Sequence, residues 1–278
     1  MTTESIIDKV SSSSSSTNRR NKIRVCVLAM YAVGVGYYLA IFNPLSDPLF
    51  RGVYKLDDET IPSVQGNVNM FFFLGATLAL VGGGQLAERF GRRTMIRIGD
   101  WGCFVAICLY SVESIPVLYL ARFLNGLSAC SVQLISNIYI SEILPRDISA
   151  IANTVLFSVS TTCIFIAYVQ QNILDREQMI EYWRVILCWP GLILLVKAIL
   201  MPMVIEHESP KYILTRCPDS PPSASTLSQI RTIYLSTHAE DKVEGALDSL
   251  LTVHAKTSTG SAWDRVKILG QRTYRKAF

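Results

Sequence analysis

The stretch Gly82-Gly83-Gly84-Gln85-Leu86-Ala87-Glu88-Arg89-Phe90-Gly91-Arg92-Arg93 holds four glycines, one carboxylate and three arginines in twelve residues. It interrupts two apolar runs, residues 68–87 and 95–112. Each run is close to the roughly 20 residues that a helix needs to cross hydrocarbon. Four further runs of this kind flank the pair, at 23–42, 115–140, 151–170 and 182–204. Backbone exposed to lipid must be helical or part of a closed barrel, and these runs lack the two-residue alternation of barrel strands. The pattern predicts an all-α membrane protein with six transmembrane helices, and the lipid bilayer is its first partner.

Composition agrees. Half of the 278 residues are hydrophobic and 17% are charged, against about 25% charged in ordinary soluble domains. The formal charge of +4 is too small to imply a nucleic-acid partner. The seven cysteines, Cys26, Cys103, Cys108, Cys130, Cys163, Cys188 and Cys217, lie mostly inside the apolar runs. They lack metal-ligand spacing and read as small apolar fillers. No metal site and no cofactor is expected. His207, His238 and His254 all lie near or beyond the last run, with no nucleophile around them, so an enzyme is not expected either.

Charge in the loops sets the orientation. Arg19, Arg20, Lys22 and Arg24 precede the first run, Arg89, Arg92, Arg93 and Arg97 surround the second turn, and Arg146, Lys211 and Arg216 fall on the same side. The opposite loops are poorer: Arg51 and Lys55 face Asp47, Asp57, Asp58 and Glu59, and Arg176 is alone in its loop. Both termini are expected in the cytoplasm, with the plasma membrane as the default location. Residues 1–22, which include the serine run 11–16, read as a disordered cytoplasmic tail.

The order and spacing of Gly84, Glu88, Arg89, Gly91, Arg92 and Arg93 resemble the G-x-L-A-D-R-x-G-R-R signature of the major facilitator superfamily, with Glu88 in place of the aspartate. Two further segments resemble the sugar porters within it. One is Arg122-Phe-Leu-Asn-Gly126 followed by Tyr139-Ile-Ser-Glu142-Ile-Leu-Pro145, and the other is Glu208-Ser-Pro-Lys211-Tyr-Ile-Leu214. In the first run, Gly36-Tyr37 and Asn43-Pro44 resemble the hexose facilitators. The resemblance implies an N-terminal six-helix half of a major facilitator fold over residues 23–214. It also implies a cytoplasmic charge cluster that opens and closes as a gate. Glu88, Glu142 and Glu208 would supply carboxylates, and Arg89, Arg92 and Arg93 guanidinium groups.

The departures from that pattern bear on the solute. Ser149 and Ala150 stand where the family has Arg-Gly, and Phe157 where it has a sugar-contacting glutamine. Tyr38 stands where proton-coupled members carry an aspartate, which favours facilitated diffusion. Arg122 remains a pathway candidate because ionisable groups within spans are functional by default, although a long side chain can also snorkel to the interface. Tyr38, Arg122 and Phe157 are therefore the substrate-pathway candidates, for a small polar, sugar-like solute.

Residues 215–278 contain no apolar run long enough to span. They read as a cytoplasmic linker with short amphipathic helices at 225–236 and 242–254, closing on a basic run at 271–278 that resembles the approach to a seventh span. Three organisations remain open. They are a longer twelve-span transporter of which this sequence is part, a half that pairs with a second half-transporter or with itself, and a protein that regulates a full-length relative without transporting.

Overall fold

The computed structural model describes residues 3–216, 223–238 and 240–258. The elements, in chain order, are α1 (Thr3–Ala40), α2 (Phe42–Asp47), a π-helical turn (Pro48–Val53), α3 (Ile61–Phe90), α4 (Arg92–Tyr110), α5 (Ile115–Ile143), α6 (Arg146–Ile173), α7 (Arg176–Glu181), α8 (Trp183–Val204), α9 (Pro210–Thr215), α10 (Ala224–Leu235) and α11 (Glu240–Ser258). The chain divides into two units, Met1–Ser209 and Pro210–Phe278.

Among the described residues, five helices are long and apolar enough to cross a membrane: Arg19–Ala40, Ile61–Phe90, Ile115–Ile143, Ile148–Gln170 and Trp183–Val204. The sixth expected span is α4. Its 19 residues make about 28 Å of helix, but Arg92, Arg93, Arg97 and Asp100 make it more polar than the rest. It packs among them all the same, against α5 and α8.

Helices in lipid are held by close backbone approach and internal hydrogen bonds rather than by a hydrophobic drive between them. The glycines show where this happens. A Cβ at Gly75 would sit 2.2 Å from the Phe123 carbonyl oxygen, and one at Gly126 2.1 Å from that of Phe72, so α3 and α5 cross backbone to backbone. Gly36 does the same for α1 and α6, where a Cβ would lie 2.0 Å from the Ser160 carbonyl oxygen.

Pro190 lies inside α8. It has no N–H for the carbonyl one turn earlier, and the first helix supplies the missing donor: the Tyr37 hydroxyl donates to the Ile186 carbonyl at 2.8 Å. The Tyr38 hydroxyl donates to the next carbonyl, Leu187, at 2.6 Å. Two adjacent tyrosines thus tie α1 to the proline break of α8.

Two expected boundaries shift. Helix α1 begins at Thr3 and takes in the serine run, where the sequence suggested a disordered tail over 1–22; no glycine or proline interrupts residues 3–24. Residues 210–214, expected to end the bundle, belong to the second unit. The reason is packing, since Leu214 is buried with Ile230, Tyr234 and Val243. In that unit α10 and α11 occupy the two expected amphipathic segments, and the Ser223 hydroxyl caps α10 by accepting from the Thr226 N–H. The basic run 271–278 lies outside the described residues.

Candidate functional site

The signature segment forms the turn between α3 and α4. Gly91 makes it possible, with φ at +97°, a backbone region that costs residues with a Cβ about 1–2 kcal/mol. The turn delivers Arg92 into the bundle, where the guanidinium meets Glu142 at the end of α5 through two bonds, Nε to Oε2 at 3.2 Å and Nη2 to Oε1 at 3.3 Å. This is the forked geometry that suits arginine to carboxylates. A third donor, Nη1, reaches the Ala87 carbonyl at 3.3 Å, which also accepts the Gly91 N–H at the end of α3. The Ser209 hydroxyl also donates to Glu142. Both charged side chains are largely buried, at 5% and 11% exposure.

Glu208 works differently. Its carboxylate accepts from the backbone N–H groups of Arg93 (3.1 Å) and Thr94 (3.3 Å), the free donors at the start of α4. A carboxylate there complements the helix dipole. A Cβ at Gly91 would lie 2.7 Å from Glu208 Oε1, so the glycine is required for this capping as well as for the turn. The Tyr139 hydroxyl donates to the His207 carbonyl at 2.9 Å and fixes the segment that carries Glu208 and Ser209.

Four expected cluster members thus come together: Arg92, Arg93, Glu142 and Glu208, on the frame of Gly91. Glu88, expected to join them, is exposed and makes no hydrogen bond or ion pair among the described residues. It lies on the last turn of α3, one turn before Arg92, and projects away. Arg89 lies over the Phe90 ring, 5.6 Å from its centroid. Gly84 is not at a close crossing, because a Cβ there would meet nothing within 4 Å. Ser149 and Ala150, in place of the family's Arg-Gly, fall in the first turn of α6.

Of the pathway candidates, Arg122 is 1% exposed and does not snorkel. Its donors go to the carbonyls of Tyr38 (2.7 Å) and Val68 (3.3 Å) and to Asn69 Oδ1 (3.3 Å). The rings of Phe42 and Phe72 stand 4.4 Å and 4.5 Å from the guanidinium carbon. Carbonyl dipoles and aromatic faces therefore balance its charge, and no carboxylate contacts it among the described residues. Tyr38 joins it through the backbone. Phe157 stands apart, 71% exposed on α6. Nearby on the same helix, Thr154, Val155, Ser158, Val159, Thr162 and Cys163 line an open groove of about 280 Å³.

The structure also brings together two residues that the sequence reading passed over. Lys197 Nζ donates to Asp100 Oδ1, joining α8 to α4 inside the bundle, with side chains 0% and 3% exposed. The other carboxylate oxygen, Oδ2, is buried without a partner. A signal was available, since both are ionisable residues inside predicted spans. No group of three or more His, Cys, Asp or Glu that could hold a metal occurs among the described residues.

A model of the family "Sugar (and other) transporter" matches residues 21–277. The chain belongs to this family. The sugar transporter family is one of carriers rather than enzymes. Monosaccharide-sensing protein 1 of Arabidopsis thaliana is 28% identical over 169 residues, covering 59% of this chain and 22% of that protein. Hexose transporter 1 of Toxoplasma gondii is 25% identical over 197 residues, covering 66% and 33%. Among solved structures, the proton:xylose symporter XylE bound to 6-bromo-6-deoxy-D-glucose matches with a TM-score of 0.71 at 17% identity, over 92% of this chain and 57% of that one. The inward open conformation of the xylose transporter XylE from E. coli matches at 0.66, over 82% and 54%. The fold is that of the major facilitator superfamily, and this chain spans between a fifth and a third of these curated relatives.

Proposed function

We propose that the chain forms the N-terminal six-helix part of a carrier that moves a small polar, sugar-like solute by alternating access. The carrying observation is the cluster at the α3–α4 turn. Arg92 holds the ends of α3 and α5 together, and Glu208 and Ser209 bring the segment after α8 onto the same point. A network of this kind, at helix ends, is a bistable element suited to rocking motion. Glu88, free and exposed beside it, is available to a facing helix of a second half or a second copy of this chain. The excess of Lys and Arg on this side supports cytoplasmic termini, and the plasma membrane is the default setting.

The solute reading follows the relatives, whose names specify monosaccharides, hexose and xylose. Facilitated movement fits the first helix: Tyr38 stands next to Arg122 where a titratable carboxylate would be needed to exchange protons with it. Uptake of labelled hexoses into vesicles tests the reading, with Glu142→Gln as the comparison. Saturable uptake that Glu142→Gln lowers at unchanged protein abundance supports the gate. Equal uptake by both proteins refutes a gating role for the cluster, and absence of saturable uptake from inserted, folded protein refutes transport by this chain alone.

A further inference from the structure

Arg93 and Arg97 stand one turn apart at the beginning of α4, both half-buried. The Nε of each is buried without a hydrogen-bond partner. Arg93 gives Nη2 to the Pro202 carbonyl of α8 at 3.3 Å. Arg97 makes no hydrogen bond or ion pair among the described residues. Of the carboxylates around this turn, Glu142 is on Arg92, Glu208 has both oxygens on backbone N–H groups, and Glu206 acts on Arg93 only at a distance. Two guanidinium groups at this spacing repel each other unless an anion lies between them.

Four-residue steps from Arg97 reach Trp101 and Val105, each 51% exposed. Helix α8, packed against α4, exposes Ile199 at 55% and Met203 at 69% on its own surface. In a membrane-spanning bundle such apolar exposure faces acyl chains. Arg97 lies about 6 Å along the helix from Arg93, between that apolar surface and the polar turn, where a bilayer around the apolar surface would place its headgroups. Basic pockets between membrane helices hold phosphate headgroups, and the planar donor set of arginine matches phosphate oxygens.

We propose that Arg93 and Arg97 bind the phosphate of an anionic phospholipid in the leaflet that meets the α3–α4 turn, its acyl chains lying along Trp101, Val105 and the exposed side of α8. The site adjoins the gating cluster through the backbone of Arg93, which Glu208 caps, so an occupied site favours the state in which that cap is formed. The proposal rests on membrane insertion of α4 and not on transport activity.

The test is native mass spectrometry of the purified full chain, taken from nanodiscs containing equal amounts of phosphatidylglycerol and phosphatidylcholine. Wild-type protein is expected to retain phosphatidylglycerol preferentially. Arg97→Gln is expected to lower that preference about fivefold, the effect of one arginine at an anionic surface, while Arg97→Lys keeps most of it. Arg176→Gln, at the opposite end of the bundle, leaves it unchanged. The wild-type preference is read without any variant, so a variant that fails to fold does not blunt the test. Equal retention of the two lipids overturns the proposal, as does a folded Arg97→Gln protein with wild-type preference. Displacement of the lipid by an equal concentration of inorganic phosphate overturns the lipid assignment in favour of a free-anion site.

Discussion

Replacing Lys197 by methionine should cost this bundle more stability than almost any other single change. The side chain is fully buried and its ammonium donates to Asp100, itself 3% exposed. Lys197→Met removes the cation and leaves a carboxylate inside the helix bundle, with Oδ1 now as unpartnered as Oδ2. Breaking a buried pair from one side costs about 3–5 kcal/mol, because the remaining charge is uncompensated. Insertion scales give a similar size, about 2.5–3.5 kcal/mol for a lone aspartate or lysine at the centre of a span. At about 2–4 °C per kcal/mol for a unit of this size, the unfolding midpoint in detergent should fall by about 10 °C. Asp100→Asn should destabilise by a comparable amount. The double variant Asp100→Asn/Lys197→Met carries no buried charge and should recover to near the wild-type midpoint, since neutral replacements of buried pairs are often tolerated. Thermal unfolding of all four proteins closes the double-mutant cycle. A Lys197→Met protein with the wild-type midpoint would refute the argument, as would a double variant whose loss equals the sum of the two single losses.

Other outcomes follow from single contacts. Gly91→Ala places a Cβ 2.7 Å from Glu208 Oε1 at a φ of +97°, and should cost about 1–3 kcal/mol; a midpoint within error of wild type would contradict the turn geometry. Gly126→Val cannot keep the α3–α5 crossing, where even a Cβ would lie 2.1 Å from a carbonyl oxygen, and should abolish the monodisperse peak in size-exclusion chromatography. Tyr37→Phe removes the donor to the Ile186 carbonyl beside Pro190 and should lower stability by about 1–2 kcal/mol, whereas Tyr119→Phe, on a partly exposed ring, should not. In the second unit, burial and then Lys242 hold His238 below its ordinary value of 6.5. The unfolded segment therefore takes up the proton more readily, so stability is complete above that value and declines as pH falls below it. Hydrogen exchange of α10 in the full chain should accelerate between about pH 7 and pH 5 beyond the intrinsic rate, and His238→Gln should remove that excess.

Much of this architecture was readable from local pattern. Apolar runs of membrane length located the five helices that are long and apolar enough to cross, and α4 beside them, because the hydrocarbon thickness imposes its own length on any helix that crosses it. The Gly91-Arg92-Arg93 segment was readable because a tight turn at a helix junction needs glycine and because the charges beside it are close in sequence. Helix ends were less legible. The sequence placed the start of the second span at Val68, but α3 begins at Ile61, since Pro62 suits the first turn of a helix and polar residues can extend it beyond the hydrocarbon. The Asp100–Lys197 pair joins residues 97 apart, and only the packing of α4 against α8 reveals it. Arg122 was visible as a charge within a span, but its solution was not: carbonyls and two aromatic faces compensate it inside the bundle, where snorkelling to the interface was the alternative. Glu88, assigned to the cluster through the motif, stands exposed beside it without a hydrogen bond or ion pair among the described residues.

The two buried ion pairs of the first unit differ in a way that assigns them different work. Asp100 and Lys197 lie inside the span at 3% and 0% exposure, and separating them would leave two bare charges where no water can reach. The cost of that separation, several kcal/mol per ion, exceeds what a carrier can recover in one rocking step from modest differences in solute binding. On the proposed alternating-access reading the pair is expected to stay closed, so that α4 and α8 move as one body. Arg92 and Glu142 sit at helix ends, with Glu142 at 11% exposure. Their other partners include the Ala87 carbonyl and the Ser209 hydroxyl, groups that water replaces readily when the ends part. Opening this cluster exchanges protein hydrogen bonds for hydrated ones, at a net cost of about 1 kcal/mol for each neutral bond and up to about 3 for each charged one. If the chain works as proposed, the second pair is the one expected to break and re-form, so motion between the α3–α4 turn and the segment after α8 should pivot there while the Asp100–Lys197 contact persists.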